Sequence, residues 1–255
     1  MKLIRTDLCD LEEVHIHILG DLHLGSKKFD CKDLLNRIDI IKNDPNARVV
    51  LLGDLINNST KTSVGDCYSE PLSPMEQIKH AVQILSPIKD KIILVVSGNH
   101  ERRSYKTEGL DITYFLATEL GIADRYNYTA VCTIIRYGKN GQKGNGCNVV
   151  SLYATHGDGN GGKLIGGKAN GLSKRGQIID ADIIITGHTH TPIIFTEASY
   201  KIDTRHDSVN LHEQLFVNCG SSLEYEEYAE MVGMKPSAKK HPVITLKGGC
   251  NTAVM

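Results

Sequence analysis

The sequence contains no tryptophan, and aromatic residues make up only 5% of its 255 positions. A surface for stacking unpaired bases is therefore poorly supplied, because such surfaces are built from aromatic rings. The chain also lacks a surplus of charge: its formal net charge is -1, so no overall positive field favours nucleic acid or an anionic membrane. No apolar run approaches the ~20 residues that a membrane-spanning helix needs.

Cysteine is present, but not in a pattern typical of structural sites. The seven cysteines are scattered, odd in number and form no Cys-x-x-Cys pair. This favours reduced thiols over a disulfide framework or a thiolate zinc site. The first residues, MKLIRTDLCDLEEV, carry charges that interrupt every apolar stretch, so we expect no signal peptide. These features predict a cytoplasmic protein without membrane contact.

The first half of the chain alternates apolar runs with amphipathic segments. Ser73, Pro74 and Glu76 supply an N-cap, a first-turn proline and a capping box for one of the helices. The alternation predicts an α/β fold whose sheet is covered on both faces. No linker or repeat is visible, so residues 1–255 are interpreted as a single domain. Strands are predicted at 14–20, 47–53 and 91–98, and helices at 31–43, 73–86 and 110–120.

The second half is richer in strand patterns. Two β-rich segments flank a turn-rich stretch and predict a hairpin, and a glycine-rich loop is expected over 157–171. The hairpin strands are predicted at 129–137 and 147–155, further strands at 182–187 and near 192–200, 214–219 and 242–247, and one more helix at 223–234.

Polar residues follow five of the apolar runs at the point where each one ends. The clusters read GDLH, GD, GNHE, HG and GHTH along the chain. In open α/β sheets, ligands bind outside the carboxyl ends of the strands, so we expect these side chains to converge. The candidate metal ligands are Asp21, His23, Asp54, Asn99, His156, His188 and His190.

This set of donors combines carboxylate, amide and imidazole groups and has no thiolate. It suits Mn²⁺ best, with Fe, Zn²⁺ or Ni²⁺ as alternatives, and it is too rich in imidazole for Ca²⁺. The set exceeds the four ligands of one tetrahedral ion, so two divalent ions are predicted. Asp54 stands alone in its cluster, and its two carboxylate oxygens make it the candidate bridge between them.

The five clusters, in this order, resemble the calcineurin-like metallophosphoesterases, whose pattern is D-x-H, G-D, G-N-H-[DE], a lone H and G-H-x-H. The resemblance spans residues 20–190. It implies a two-sheet α/β sandwich flanked by helices, with the metal site at the C-terminal ends of the strands. It also implies one ion held by Asp21, His23 and His190, a second held by Asn99, His156 and His188, and Asp54 bridging them.

The resemblance implies roles for the rest of the GNHE cluster. His100 would be a histidine that does not ligate metal and lies near the leaving-group oxygen, and Glu101 would orient it. A hydroxide between the two ions would attack phosphorus in line. His100, as an imidazolium, would stabilise developing charge or protonate the leaving alkoxide.

Other residues leave alternatives open. Arg102 and Arg103 follow GNHE directly and either grip substrate phosphates or form a solvated basic loop. His15 and His17 lie upstream of a strand end and are interpreted as structural histidines.

The function predicted from these residues is hydrolysis of phosphate mono- or diesters. The expected substrate is a phosphorylated small molecule or a nucleotide. A DNA exonuclease or endonuclease of the same superfamily is an alternative, in which nucleic acid would be the partner. A non-catalytic metal-binding scaffold on the same fold is another. The sequence leaves the oligomeric state open.

Overall fold

The computed structural model describes residues 1–61, 63, 70–139, 146–159, 162–225, 230, 233, 235–236 and 238–255. Within this part of the chain, the strands form two six-stranded sheets. In chain order the strands are β1 Lys2–Leu8, β2 Glu13–Leu19, β3 Ala47–Leu51, β4 Ile92–Val96, β5 Tyr126–Asn127, β6 Ala130–Lys139, β7 Cys147–Thr155, β8 Ile183–Thr186, β9 Ile193–Asp203, β10 Ser208–Asn218, β11 Val243–Lys247 and β12 Cys250–Val254.

The first sheet has the strand order β1-β6-β7-β8-β10-β9, and the second has the order β12-β11-β2-β3-β4-β5. β2, β3 and β4 are parallel neighbours in the second sheet. β8 runs parallel to both β7 and β10 in the first. Each parallel group ends at one edge of its sheet, and the predicted polar clusters follow five of these strands. The topology thus places the clusters where ligands bind in α/β proteins.

The helices lie against the outer faces of the sheets. The helices predicted at 31–43 and 73–86 are confirmed. The predicted capping box of the second is present, since Glu76 accepts a hydrogen bond of 2.8 Å from the backbone N–H of Ser73. None of the described helices is both long enough and apolar enough to cross a membrane. The helices are α1 Cys31–Asn43, α2 Pro74–Leu85, α3 Glu101–Glu108, α4 Ile112–Glu119 and α5 Ile165–Gly176.

Three apolar clusters hold these layers together. One lies between the second sheet and helices α1, α2 and α4, one fills the space between the two sheets, and a smaller one joins the first sheet to α5. β4 is buried along its whole length because both of its faces are covered. The predicted α/β sandwich with flanking helices is therefore confirmed, whereas the single-domain interpretation stays a prediction.

Several elements differ from the sequence-based expectations. β1 was not predicted, because its sequence KLIRTDL alternates charged and apolar residues on an edge strand that is half exposed. The segment after GNHE forms α3 instead of a loop. The predicted glycine-rich loop is shorter than expected, because α5 begins at Ile165. Most of the predicted helix 223–234 and the turn between β6 and β7 lie outside the described residues.

The prediction that all cysteines are reduced is wrong. Cys9 and Cys147 form a disulfide, with their Cα atoms 5.7 Å apart. Cys9 follows β1 and Cys147 begins β7, and these strands flank β6 in the sheet, so folding brings the two thiols together across a separation of 138 residues. Local spacing could not reveal this pair, because it depends on strand order.

Replacing both Cys9 and Cys147 with serine is expected to lower the free energy of unfolding by about 2–4 kcal/mol, because the crosslink restricts the unfolded chain. Urea denaturation under oxidising conditions measures the change. Cys31→Ser alters an exposed free thiol and serves as the control, with an expected change within about 0.5 kcal/mol. Equal stability of the unmodified protein with and without reductant would contradict the crosslink.

Candidate metal centre

The structure brings all seven predicted ligands together at the strand ends. Three overlapping groups have ligand atoms within 4.8 Å of one another. Asn99 joins the third group, since its Oδ1 lies 2.6 Å from Nδ1 of His188 and 2.9 Å from Nε2 of His156. The groups are Asp21, His23 and His190; His23, Asp54 and His100; and Asp54, His156 and His188. Their role as metal ligands stays a prediction.

Asp54 lies at the centre of the arrangement. Its Oδ2 is 3.3 Å from Nε2 of His156 and 3.9 Å from Nε2 of His23, residues that belong to opposite ends of the cluster. Its other oxygen, Oδ1, accepts a hydrogen bond of 2.8 Å from the backbone N–H of His100. The side chain is almost completely buried. This central position is the one expected of a carboxylate that binds two ions.

The environment of His156 fits a bound cation. Its Nδ1 lies 2.8 Å from the carbonyl oxygen of Leu52, so Nδ1 donates and Nε2 is left to bind a proton or a cation. Nε2 faces oxygens of Asn99 and Asp54 at 2.9 and 3.3 Å. Burial alone would lower the pKa of His156, but the charge of Asp54 raises it to about 9. The site thus attracts positive charge, which a metal ion would supply in place of a proton.

The group of Asp21, His23 and His190, at the other end of the cluster, also brings donor atoms close together. Nε2 of His23 and Nε2 of His190 lie 3.1 Å apart, and Nε2 of His190 faces Oδ1 of Asp21 at 3.4 Å. Oδ1 of Asp21 is buried with this 3.4 Å contact to His190, and Nδ1 of His23 is buried without a hydrogen-bond partner among the described residues. Buried polar atoms without a partner are costly, and a divalent cation would satisfy the carboxylate oxygen.

Backbone strain is concentrated at the same residues. Among the described residues, seven that are not glycine have positive φ angles, and five of these are predicted ligands. L-residues rarely adopt this conformation, and it persists where the surroundings enforce it, often at functional sites. The five φ angles are 50° for Asp21, 52° for His23, 48° for Asp54, 68° for His188 and 54° for His190.

Two glycines allow the strand ends to approach each other. A Cβ atom on Gly53 would lie 2.3 Å from the backbone nitrogen of Gly98, and one on Gly98 would lie 2.1 Å from the backbone nitrogen of Asp54. Either substitution would push apart the loops that follow β3 and β4. These glycines are therefore needed to place Asp54 beside the GNHE cluster.

Glu101 does not orient His100, contrary to the expectation from the sequence. Its buried carboxylate accepts hydrogen bonds from the backbone N–H groups of Asp54, Leu55, Ile56 and Gly98, at 2.6–3.2 Å. Burial and then the charge of Asp54 raise its pKa to about 7, while the backbone hydrogen bonds act in the opposite direction. Glu101 is thus a positioning residue that fixes the turn carrying Asp54.

His100 is held by two other groups. Its Nδ1 lies 2.6 Å from the carbonyl oxygen of Asn57, and its Nε2 lies 2.9 Å from the guanidinium of Arg103. Arginine can only donate, so Nε2 of His100 accepts, and the ring is neutral in this arrangement. Burial, together with the charge of Arg103, lowers the pKa of His100. The imidazolium predicted from the sequence is therefore not the form that this structure favours.

The two arginines of α3 have different surroundings. Arg102 donates to the carbonyl oxygens of Ser97 and Tyr128 at 2.7 and 2.8 Å, and its guanidinium lies over the Tyr128 ring. These contacts favour a structural role for Arg102 over the predicted role in substrate binding. Arg103 instead reaches His100 at the edge of the cluster. Substrate binding by Arg103 stays a prediction.

Sequence reasoning missed the residues that support the ligand loops from outside. Nζ of Lys168, on α5, donates to the carbonyl oxygen of Thr189 at 3.0 Å, within the GHTH cluster. Nδ2 of Asn218 donates to the hydroxyl of the same threonine at 2.9 Å. The hydroxyl of Ser221 donates to the carbonyl oxygen of Asp21 at 3.0 Å. The sequence signal for the last residue was weak: a polar VNCGSS segment that directly follows a strand.

His15 and His17 lie away from the candidate centre, as the sequence predicted. The Nδ1 of His15 lies 2.6 Å from a carboxylate oxygen of Asp44, and its Nε2 lies 3.2 Å from Glu13. These contacts raise the pKa of His15 even though burial opposes the shift. Burial and the nearby charge of Arg37 lower the pKa of His17 to about 4. Within the part of the chain that the structure describes, neither residue belongs to a group of candidate ligands.

The fold and the site define an α/β sandwich protein with a candidate metal centre of histidines and carboxylates. A family model described as calcineurin-like phosphoesterase matches residues 14–192, well over half of the chain. The chain therefore belongs to the calcineurin-like phosphoesterase family.

Solved structures with a similar chain path come from varied sources. GAP50, described as the anchor in the inner membrane complex of Plasmodium, is 13% identical with a TM-score of 0.51, over 94% of this chain and 83% of that chain. Vps29 of Cryptosporidium parvum is 14% identical with a TM-score of 0.47, over 95% of this chain and 96% of that chain. A metallophosphoesterase of Sphaerobacter thermophilus is 11% identical with a TM-score of 0.41, over 94% of this chain and 87% of that chain. The likeness to GAP50 shows a shared fold and nothing about activity. No curated protein sequence matches the chain.

Glu101→Ala is expected to lower the free energy of unfolding by about 3 kcal/mol or more, because it leaves several buried N–H groups without a partner. The free energy is measured by chemical denaturation with chelator present, so that metal binding does not contribute. Glu108→Ala, at the exposed end of the same helix, is the control and should change it by less than about 0.5 kcal/mol. A fully stable Glu101→Ala protein would contradict the positioning role.

Proposed function

We propose that this protein is a dinuclear-metal phosphoesterase that hydrolyses phosphate mono- or diesters. The observation that carries the proposal is the convergence of seven nitrogen- and oxygen-donor side chains at the strand ends, with Asp54 between two groups of them. One ion would be held by Asp21, His23, His190 and Asp54, and the other by Asn99, His156, His188 and Asp54. Mn²⁺ is the preferred metal, with Fe, Zn²⁺ or Ni²⁺ as alternatives.

When bound, the ions would supply the Lewis acidity that generates the attacking hydroxide from water and offsets the charge of the phosphate. The protein residues then have separate tasks. Asp54 is held in place by the His100 backbone and by the turn that Glu101 fixes. Leu52 fixes the tautomer of His156 through its carbonyl oxygen. These contacts orient the donor atoms before substrate arrives.

His100 and Arg103 would act on the substrate itself. Nε2 of His100 lies 3.9 Å from Oδ2 of Asp54, so it borders the same space as the ligand atoms. A phosphate placed there would draw the guanidinium of Arg103 by charge-assisted hydrogen bonds. Its negative charge would also raise the pKa of His100, so that the ring takes up a proton with substrate bound rather than before. Nε2 could then donate that proton to the leaving oxygen.

The proposed substrate is a phosphorylated small molecule or a nucleotide. DNA cleavage is the alternative within the family, and the near-neutral net charge gives it little support. A non-catalytic scaffold is the alternative outside enzymes. The predicted cytoplasmic location stays a prediction, and the disulfide between Cys9 and Cys147 weighs against it because such bonds are typical of oxidising compartments.

Phosphoesterase activity should require metal and Asp54. We expect Mn²⁺ to stimulate hydrolysis of aryl phosphates and chelation to abolish it. Loss of groups that merely orient metal ligands costs roughly 10–100-fold, so Asp54→Asn should lower kcat/KM by at least that factor. Calorimetry should show weaker Mn²⁺ binding by the same variant.

Asp90→Asn is the matched control, because Asp90 is exposed and precedes β4 at the end opposite the site. Its kcat/KM should equal that of the unmodified protein. A panel of phosphomonoester, phosphodiester, cyclic nucleotide and single- and double-stranded DNA separates the substrate classes. Metal binding without turnover of any of them would favour the scaffold. Normal turnover by Asp54→Asn would refute the proposed site.

The neighbouring arginines provide a second test. Arg103→Met is expected to raise KM about tenfold, because one charge-assisted contact to phosphate is lost, and to lower the free energy of unfolding less than the Arg102 variant does, since its hydrogen bond to the carbonyl oxygen of Asn57 is long at 3.3 Å. Arg102→Met should leave KM nearly unchanged and lower the free energy of unfolding by about 1–3 kcal/mol, since two backbone carbonyl groups lose their donor. Steady-state kinetics and denaturation of both variants distinguish these roles. Equal effects of both substitutions on KM would show that the two side chains do not differ as proposed.

A further inference from the structure

The β9–β10 hairpin extends beyond the rest of the first sheet. The two strands pair along their whole length, from Ile193 with Asn218 to Asp203 with Ser208. β10 pairs with β8 only over its last residues, from Leu215 to Asn218. The outer half of the hairpin is therefore a two-stranded ribbon, which is marginal by itself unless one of its faces is covered.

One face of this ribbon is held against the protein by polar contacts. Glu197 accepts a hydrogen bond from the hydroxyl of Ser173 on α5 at 2.6 Å, and Gln214 donates to the carbonyl oxygen of Ala181 at 3.0 Å. His212 pairs with Asp180 at 3.1 Å. The polar side chains of the ribbon thus point towards the protein's own surface.

The opposite face is apolar and exposed. Tyr200 pairs with Leu211, and Ile202 pairs with Val209, in two neighbouring cross-strand pairs. Their exposed fractions are 76% for Tyr200, 57% for Leu211, 77% for Ile202 and 63% for Val209. We call these four residues the hairpin patch. The apolar side chains of the ribbon thus face solvent while its polar side chains face the protein, the reverse of the usual arrangement.

The hairpin patch continues the core between the two sheets. Side chains alternate along a strand, so Val209 and Leu211 share a face with Leu215 and Val217, which belong to the inter-sheet core. At Val209 and Leu211, beyond that core, the same face of the ribbon is exposed to solvent. An apolar surface packed against Val209 and Leu211 would extend that core.

We propose that two copies of this chain associate through the hairpin patch, with their ribbons packed face to face about a two-fold axis. A second ribbon supplies the β surface that the face requires, and sheets pack in this way through apolar side chains. Such an interface is self-complementary, as two-fold dimers require. The inference is independent of the proposed enzymatic activity.

Charge at the two ends of the hairpin patch supports this arrangement. Glu213 is exposed and lies on the same face, one cross-strand pair nearer the protein body. Arg205 is exposed in the turn at the tip. Glu213 lies three residues from the middle of the patch along β10, and Arg205 lies four residues from it along the chain after β9, so each is roughly 10 Å away. An antiparallel two-fold arrangement would place each Arg205 beside Glu213 of the other copy.

The size of the hairpin patch indicates a weak dimer. At the observed exposures the four side chains contribute on the order of 500 Å² per copy, similar to the largest apolar patches on monomeric proteins, which are often functional. Two copies would together bury roughly 1,000 Å², at the low end of specific interfaces. We therefore expect a Kd on the order of micromolar.

Sedimentation equilibrium of the full chain over a concentration series tests the proposal. Ile202→Thr with Val209→Thr should raise the dimer Kd at least tenfold, because threonine preserves the strand and removes apolar contact. Val149→Thr is the control, since Val149 is also 63% exposed on a strand of the same sheet, and the dimer Kd should not change. A protein that stays monomeric well above micromolar concentration, or a dimer insensitive to the double substitution, would overturn the proposal.

A charge exchange tests the two-fold arrangement directly. Arg205→Glu and Glu213→Arg should each weaken the dimer several-fold, since each places like charges side by side. The combined protein should recover a Kd close to the unmodified value, because each swapped pair is again complementary. Weakening by the single variants without recovery in the combination would overturn the arrangement. Recovery cannot arise from binding to an unrelated partner or from general loss of folding.

Discussion

The centre of this protein depends on a concentration of electron-pair donors at the ends of buried strands. Nε2 of His156 faces two oxygens, and Nε2 atoms of His23 and His190 face each other at 3.1 Å. In a buried environment such contacts repel unless a proton or a cation lies between them. A cation that binds only the folded state would also stabilise it by mass action. Binding of a metal ion at these residues would thus be coupled to folding stability.

The backbone is built to maintain this concentration of donors. Five of the predicted ligands adopt φ angles that L-residues avoid, and the surrounding contacts hold them there. Glu101 accepts hydrogen bonds from the backbone N–H groups of the turn at Asp54, and the hydroxyl of Ser221 donates to the carbonyl oxygen of Asp21. Gly53 and Gly98 permit the close approach of two strand ends. The supporting residues come from elements far apart in the chain, so the site is a product of the whole sandwich.

The candidate ligands could be predicted from the sequence more readily than the residues that support them. Asp21, His23 and Asp54 follow apolar strands directly, and a polar residue after a buried strand is a pattern visible in one dimension. Lys168 and Ser221 act through backbone carbonyl groups of residues far away in the chain. The partner of Lys168 follows β8, and that of Ser221 follows β2 in the other sheet, so both contacts depend on the tertiary fold. The disulfide was missed for the same reason. Glu101 was recognised, but its partner was wrong, because the nearest residue in the sequence is not the nearest in space.

The surroundings of the metal centre also bear on the choice between an enzyme and a scaffold. A site that only holds metal gains nothing from a further positive group at its edge, since like charges repel. Yet Arg103 contacts His100, whose ring borders the same space as Asp54. With cations bound, a fixed guanidinium there is unfavourable until an anion lies between them. Phosphate esters are anions that bind both metal ions and arginine. The placement of Arg103 therefore favours a site built to receive an anionic ligand.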